Sequence, residues 1–277
     1  MVVQHNLQAM NSNRMLGLTQ STLSKSTEKL SSGYRVNRAA DDAAGLAISE
    51  KMRRQVRGLT QAVRNAQDGI SMAQTAEGAM NEVHDMLQRM NELATQAANG
   101  SLQSEDREYI QKEVDQLVSE IDRVATTTTF NEKKLLDGTL SGVSLQVGAE
   151  GTTSNTISIS IDALDANGLQ VASLKGSGVS GADGTTAQGA MGTIKEAIKI
   201  LNGQRATVGA VQNRLEHTVN NLNNVVENTT AAESQIRDTD MASEMVKYSN
   251  ANILQQAGQS MLAQSNQSNQ GVLSLLG

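Results

Sequence analysis

The sequence contains no cysteine, no proline and no tryptophan, and it has one phenylalanine and three tyrosines among 277 residues. Without cysteine the chain can form no disulfide, thiolate nucleophile or thiolate metal site. Aromatic rings supply much of the buried area of globular cores, and proline marks many loops that carry active sites. We therefore expect a long helical bundle with a thin core and no compact enzyme core.

Strong charge and long apolar runs are also missing. The chain has 23 Lys and Arg against 29 Asp and Glu, a net charge of −6, and no basic cluster. Nothing in this pattern favours binding to a nucleic-acid backbone. The chain contains no run of about 18 apolar residues, so no transmembrane helix is predicted. Residues 1–14 lack the charged and apolar regions of a secretory signal, so we expect neither membrane insertion nor a Sec signal.

A heptad repeat dominates the first half of the chain. Apolar residues recur in a 4-3 spacing from Met52, take one extra three-residue step to Ala76, and continue to Ala97. This spacing predicts one coiled-coil-like helix over residues 45–98, about 80 Å long. The seam positions are Met52, Val56, Leu59, Val63, Ala66, Ile70, Ala73, Ala76, Met80, Val83, Leu87, Met90, Ala94 and Ala97.

Two further seams predict helices that share a core with the first. One spans residues 110–124 and the other residues 194–236, where Arg205, Thr218 and Thr229 interrupt it. Asn99-Gly100 is a turn signal, so the first two helices should fold back antiparallel. The predicted fold is therefore mainly α, a long coiled-coil-like helical bundle.

Residues 139–190 change character. Apolar and polar residues alternate over 145–147 and 157–161, between stretches rich in Gly, Ser, Thr and Asp. This pattern predicts a short β-hairpin region followed by a loop. We expect a rod-like helical domain over residues 45–235 with this insert, and a second helical domain built from 1–44 and 236–277.

The two ends of the chain carry thin apolar stripes on a background of Asn, Gln, Ser and Thr. Neither stripe can bury itself, and an isolated helix of this kind is marginal in water. We expect the ends to pair with each other in a coiled coil or with other copies, and to be disordered until they do. The stripe residues expected to act in self-assembly are Leu7, Leu16, Leu23, Leu30, Leu254, Met261, Val272 and Leu275.

Motifs that could carry chemistry are weak. Residues 176–181 match the dinucleotide fingerprint, but no βαβ unit surrounds them, which favours a flexible loop. Ser26 and Lys29 have serine–lysine spacing without supporting motifs. The three histidines lack ligand spacing, and Asn99-Gly-Ser matches a glycosylation sequon by chance. We expect no catalytic residue and no cofactor.

The Asp41-Asp42 pair has two interpretations. Adjacent carboxylates can hold a hard cation. Arg35, Arg38 and Lys51 lie nearby, beside several Ala residues and Gly45, and this setting favours a tightly packed joint between two helices. We favour the joint, count Arg35, Asp41 and Asp42 among the self-assembly residues, and expect no metal.

Four runs of the sequence resemble the signature of bacterial flagellin: residues 30–48, 209–215, 228–241 and 253–276. They lie in the family's order, and with the helices between them they cover about 1–137 and 191–277. The resemblance implies a structural subunit of the extracellular flagellar filament, exported unfolded by the flagellar type III apparatus. It also implies an export chaperone and a filament cap as partners, and terminal helices that form the filament's inner tube. The fifty or so central residues suggest a minimal flagellin without outer domains.

Two alternatives remain. A hook–filament junction protein of the same family shares the terminal helices. An enzyme displayed on the filament would need a site in the insert, but residues 139–190 hold no His, Cys or aromatic residue.

The resemblance also implies recognition by Toll-like receptor 5 of vertebrates. Residues 88–96 and 110–113 resemble the flagellin surface that this receptor contacts. A face that contacts a neighbouring filament subunit would explain the same polar side chains. The residues implied as receptor contacts are Gln88, Arg89, Glu92, Leu93, Gln96, Ile110 and Glu113.

Overall fold

The computed structural model describes residues 6–181 and 184–274, with side chains as far as residue 268. Within these residues the chain forms five α-helices and two small antiparallel sheets. Short 3-10 turns lie at Thr153–Asn155 and Ala172–Leu174. The elements, in chain order, are α1 Leu7–Ser32, α2 Ala43–Ala97, α3 Ser104–Thr127, β1 Thr129–Phe130, β2 Lys133–Lys134, β3 Val143–Gln146, β4 Thr156–Ile159, α4 Thr185–Arg237 and α5 Met241–Ser274.

The helix ends follow from local capping. The Asn6 side chain accepts a hydrogen bond from the Ala9 N–H at 2.9 Å and begins α1. Gly33 ends α1 with a φ of 76°, a left-handed conformation that glycine adopts without a Cβ clash. Asp42 accepts from the Gly45 N–H at 2.8 Å and begins α2, and a Cβ at Gly45 would overlap that carboxylate.

The predicted mainly α fold is confirmed. The helix expected over 45–98 is α2, and the seam positions from Ala73 to Ala97 are all buried. The seams at 110–124 and 194–236 lie within α3 and α4. Heptad spacing therefore identified much of the core-facing stripe of α2, α3 and α4.

The structure divides into two compact units. Unit 1 comprises residues up to 56 and from 227, and unit 2 comprises residues 57–226. The domain boundaries expected at residues 44 and 235 stay predictions. Unit 2 has a large hydrophobic core made by α2, α3, α4 and the segment between α3 and α4, and a small second cluster formed by Leu59, Ala62 and Leu222. Among its fully buried side chains are Met80, Leu87, Met90, Ile121, Leu135, Leu136 and Leu164.

The segment that joins α3 to α4 contains the predicted hairpin and more structure than predicted. Strands β3 and β4 pair antiparallel with Leu145 opposite Ile157. The β1–β2 pair was not predicted; its turn residues Asn131 and Glu132 have positive φ. The predicted loop is a packed coil whose apolar side chains enter the core of unit 2. These buried residues are Ile161, Leu164, Leu169, Val171, Leu174 and Val179.

In unit 1, α1 packs closely along α5 in the antiparallel direction. Ser26 lies opposite Glu244 near one end, and Asn6 lies opposite Ser265 near the other. Gly258 faces Leu16, where a Cβ would lie 3.3 Å from Cδ1. Small residues at the interface allow this close approach, and the predicted pairing of the two chain ends is confirmed.

Candidate functional site

The surface of unit 1 is unusually apolar. Among the described residues, eleven of the twelve exposed large hydrophobic side chains lie in unit 1, each 46–69% exposed. We call them the terminal apolar surface; they are Leu7, Met10, Met15 and Leu18 of α1, Ile48 of α2, and Met241, Met245, Val246, Ile253, Leu254 and Met261 of α5. Exposed apolar area concentrated in this way marks an interaction surface.

The interior of unit 1 is correspondingly poor in apolar groups. Among its described residues, the buried hydrophobic ones are Val36 and Ala251, while the buried polar ones are Ser26, Ser49, Glu244 and Ser265. The unit therefore exposes more large apolar side chains than it buries.

A groove of about 420 Å³ lies between α1 and α5. Met15, Leu16, Leu254 and Met261 contribute its apolar lining. The groove adds a concave, partly apolar region to the terminal apolar surface.

Three of the predicted stripe residues lie outside this surface. Leu16, Leu23 and Leu30 are half-buried along α1, whereas Leu7 is exposed. The side chain of Val272 and the whole of Leu275 lie outside the described residues. The sequence prediction missed Met15, Leu18, Met245, Val246 and Ile253, whose signal was the presence of apolar residues off the heptad register.

Arg35 lies at the junction that follows α1. Its N–H donates to the Arg237 carbonyl at 2.6 Å, and its guanidinium donates to the Ile236 carbonyl at 2.6 Å. The Arg237 guanidinium stacks on Tyr34, 4.6 Å from the ring centroid, and pairs with Glu50 at 2.7 Å. These contacts join the end of α4 to the segment between α1 and α2.

Asp41 and Asp42 act on the backbone. The Asp41 carboxylate accepts from the Arg38 N–H at 3.0 Å and the Asn37 N–H at 3.3 Å. The first of these hydrogen bonds is the main reason that the pKa of Asp41 lies below its ordinary value. Asp42 caps α2. Among the described residues, no group of His, Asp or Glu side chains could hold a metal ion.

A polar ridge runs over α2 and α3 in unit 2. We call it the Arg89 ridge, and its exposed members are Gln88, Arg89, Glu92, Gln96 and Glu113. Arg89 donates to Glu113 at 2.9 Å and to Glu92 at 3.2 Å. The hydrogen bond to Glu113, followed by that to Glu92, holds the pKa of Arg89 above its ordinary value. The arginine is thus fixed between two carboxylates at the surface.

Leu93 and Ile110 occupy a different environment from the ridge. Leu93 is 1% exposed and Ile110 9%, and both belong to the core of unit 2. The resemblance implied both as receptor contacts, and neither is exposed as the ridge residues are. The buried stripe of α2 is wider than a strict heptad seam, because one core takes side chains from three helices and a coil.

The other weak motifs have structural roles. Ser26 is buried and donates to Glu244 at 2.7 Å. The glycine-rich segment at 176–181 is held on α3 by Gln111, whose Oε1 accepts from the Val179 N–H at 2.7 Å and whose Nε2 donates to the Leu174 carbonyl at 2.7 Å. Sequence reasoning found no signal for Gln111, because a polar residue on a helix usually faces solvent. None of the described helices is apolar enough over a sufficient length to cross a bilayer.

Comparison with known proteins shows strong similarity over nearly the whole chain. Residues 3–141 match the bacterial flagellin N-terminal helical region, and residues 191–276 match the bacterial flagellin C-terminal helical region. The chain is 52% identical to flagellin of Halalkalibacterium halodurans over 276 residues, covering 100% of both chains. It is 48% identical to flagellin of Bacillus subtilis over 305 residues, again covering 100% of both.

A solved structure also shares the fold. The protein, from Vibrio parahaemolyticus and described as a flagellar hook-associated protein, is 15% identical to this chain, with a TM-score of 0.59. The match covers 72% of this chain and 100% of that one. At this identity the likeness shows the fold alone.

Proposed function

The chain belongs to the bacterial flagellin family and is a structural subunit of the flagellar filament, and from this premise we propose that α1 and α5 make the subunit contacts of the filament's inner tube. The observation that carries the proposal is the terminal apolar surface, because unit 1 exposes the hydrophobic side chains that a solitary subunit would bury. The proposed assembly residues also include half-buried Leu16, Leu23 and Leu30, and Arg35, Asp41 and Asp42 at the junction.

The proposal is tested with Leu254→Gln combined with Met261→Gln. Glutamine keeps helix propensity close to that of leucine and methionine while removing the apolar contact. We expect no filaments by electron microscopy after seeding of the purified variant. Tyr109→Gln is the matched control, because Tyr109 is the exposed large hydrophobic residue among those described in unit 2. We expect this variant to assemble normally. Normal filaments from the double variant would overturn the proposal.

Secretion and assembly partners are proposed from family membership. The chain would pass unfolded through the flagellar type III apparatus with an export chaperone and assemble beneath a filament cap. Recovery of full-length chain from culture medium, and its absence when the apparatus is disabled, tests the route. Release that persists without the apparatus would refute it.

We also propose that Toll-like receptor 5 binds the monomer at the Arg89 ridge. Support comes from five exposed polar residues on adjacent helices, with a guanidinium fixed between Glu92 and Glu113. Arginine donates in a planar fork and stacks well, which makes it a frequent interface hot spot. Leu93 and Ile110 support the ridge from the core.

We predict that Arg89→Ala weakens receptor binding by the monomer about thirtyfold or more, the loss typical of a hot spot. Arg123→Ala is the control. Like Arg89, Arg123 is exposed and pairs with a carboxylate, that of Glu120, but it lies on α3 outside the Arg89 ridge. If Arg89→Ala reduces polymerisation and leaves the receptor dissociation constant unchanged, the ridge is a filament contact and the receptor proposal is wrong.

A further inference from the structure

Three Asn-Gly pairs occur in the chain: Asn99-Gly100, Asn167-Gly168 and Asn202-Gly203. In such a pair the glycine nitrogen can attack the asparagine Cγ. An N–Cγ bond forms, the bond from Cγ to the amide nitrogen breaks, and ammonia leaves. Water then opens the succinimide ring to aspartate or isoaspartate, so one water is consumed and one ammonia released without any redox step. Glycine permits the reaction because it has no Cβ and has a freely adjustable backbone.

The first pair is open to this reaction. Asn99 and Gly100 are both exposed and lie between α2 and α3, outside any helix. The Asn99 Oδ1 accepts from the Ser101 N–H at 3.3 Å, which curls the side chain over the intervening Gly100 peptide. A Cβ at Gly100 would meet open space, and the Gly100 N–H donates no hydrogen bond to any described residue.

In the other two pairs the glycine nitrogen, which would have to attack, is already engaged in a hydrogen bond. The Gly168 N–H donates to Asp165 Oδ1 at 2.8 Å, and the backbone of Ala163 crowds the same glycine. Asn202-Gly203 lies inside α4, where the backbone N–H groups are committed to the helical hydrogen-bond ladder.

We propose that Asn99 is a site of spontaneous deamidation in the folded subunit, and that the fold protects Asn167 and Asn202. The Asn99 carbonyl accepts from Arg107 Nη2 at 3.1 Å, and Arg107 is a buried cation that also donates to the Ala97 carbonyl at 2.9 Å. In isoaspartate the main chain runs through Cγ and is one methylene longer, and the former Asn99 carbonyl leaves the main chain as a free carboxylate. The new carboxylate also lies at the C-terminal end of α2, where the helix dipole disfavours negative charge. Deamidation therefore loosens the turn between α2 and α3 as the subunit ages.

Peptide mapping by mass spectrometry tests the proposal on the full chain, incubated at mildly alkaline pH. We expect Asn99 to deamidate at least about tenfold faster than Asn167 and Asn202, the factor that one hydrogen bond to the attacking nitrogen is worth. In concentrated urea the three rates should converge. Equal rates at the three sites in the folded chain would overturn the proposal.

Gly100→Ala is the matched variant, because the added Cβ fits and hinders only the attack. It should slow deamidation at Asn99 and leave the other two sites unchanged. An unaltered Asn99 rate in this variant contradicts the mechanism. The aged chain carrying isoaspartate at position 99 should exchange hydrogen faster at the amides of residues 97–107 than the fresh chain, and unchanged exchange there would refute the proposed loosening.

Discussion

At the scale of single residues, Arg89 and Leu93 are neighbours on α2 that differ in burial, although the family resemblance implies both as receptor contacts. Arg89 is exposed beside its two carboxylates, whereas Leu93, one turn along the helix, is enclosed by the core of unit 2. A substitution at either position would reduce the proposed receptor binding for a different reason: at Arg89 by removing a contact, at Leu93 by disturbing the fold.

Leu93→Ala is therefore predicted to destabilise the bundle. Truncating a fully buried leucine removes apolar contacts and leaves a cavity, which costs about 2–5 kcal/mol of unfolding free energy. Urea unfolding of the monomer, followed by circular dichroism, measures the change. Gln96→Ala, at an exposed position one turn away, should unfold almost as the unmodified chain does. If Leu93→Ala unfolds at the same urea concentration as that control, the core position of Leu93 is wrong.

Glu244 of α5 is bonded to α1 through Ser26. It is buried, and the hydrogen bond from Ser26, followed by that from Lys247, lowers its pKa from the ordinary value of 4.5. A carboxylate whose pKa falls on folding stabilises the fold above its unfolded pKa, and this contribution disappears as pH falls through the folded value.

We predict that α1 and α5 separate more readily as pH falls below about 4.5. Glu244→Gln should flatten this dependence, because glutamine has no charge to lose. Hydrogen exchange of α5 in assembled filaments at a series of pH values measures the effect, with Glu196→Gln as an exposed control in unit 2. An equally steep acid response in Glu244→Gln would show that other carboxylates control the pairing.

At the scale of elements, the segment between α3 and α4 depends on one side chain of α3. Gln111 is buried and satisfies the Val179 N–H, the Ser180 N–H and the Leu174 carbonyl. The segment has little regular secondary structure, so its backbone groups need partners of this kind.

Gln111→Ala should release that segment. Each buried backbone group left without a partner costs about 1–3 kcal/mol, so we predict a clear loss of unfolding free energy and faster hydrogen exchange over residues 174–181. Gln116→Ala, at an exposed position on the same helix, provides the comparison. Unchanged exchange at Val179 in Gln111→Ala would mean that apolar packing alone holds the segment.

Sequence patterns predicted some elements well because periodicity reports burial directly. The seam from Ala73 to Ala97 identified the buried face of α2, and the alternation around Ile157 identified a strand. The packed coil at 160–181 was missed because its core contacts follow no period. The pairing of Gln111 with a segment more than sixty residues away depends on tertiary structure, which no local pattern encodes.

The candidate surfaces likewise contain features that the sequence pattern predicted and features that only the folded structure reveals. The apolar stripes at the two ends predicted a pairing of α1 with α5, because thin stripes cannot bury themselves. The outward-facing residues Met15, Met245 and Ile253 lie off those stripes, so only the folded pair reveals them as one surface. The position of Arg89 between Glu92 and Glu113 likewise needs the packing of α3 on α2, since Glu113 is distant in sequence.

At the scale of the whole molecule, apolar side chains are distributed unequally between the two units. Unit 2 encloses a large hydrophobic core, while unit 1 exposes nearly all of the large apolar side chains that are exposed in the described residues. A unit with its own core can fold without a partner, whereas one with an apolar exterior gains stability from association. The proposed contacts of α1 and α5 with other copies would be heterologous, because the two helices present different side chains, and heterologous contacts build open helical assemblies when the rotation does not close.

Deletion of residues 254–277 separates folding from assembly. The truncated chain lacks Leu254 and Met261 of the terminal apolar surface and the partners of Leu16 and Asn6, so we predict that it forms no filaments after seeding. The core of unit 2 lies wholly within residues 57–226, so its cooperative thermal unfolding should remain. Calorimetry and electron microscopy on the same preparation measure both outcomes. Because unfolding reports unit 2 and filaments report unit 1, loss of both would assign the tail a role in folding, and filaments of normal length would remove α5 from the subunit contacts.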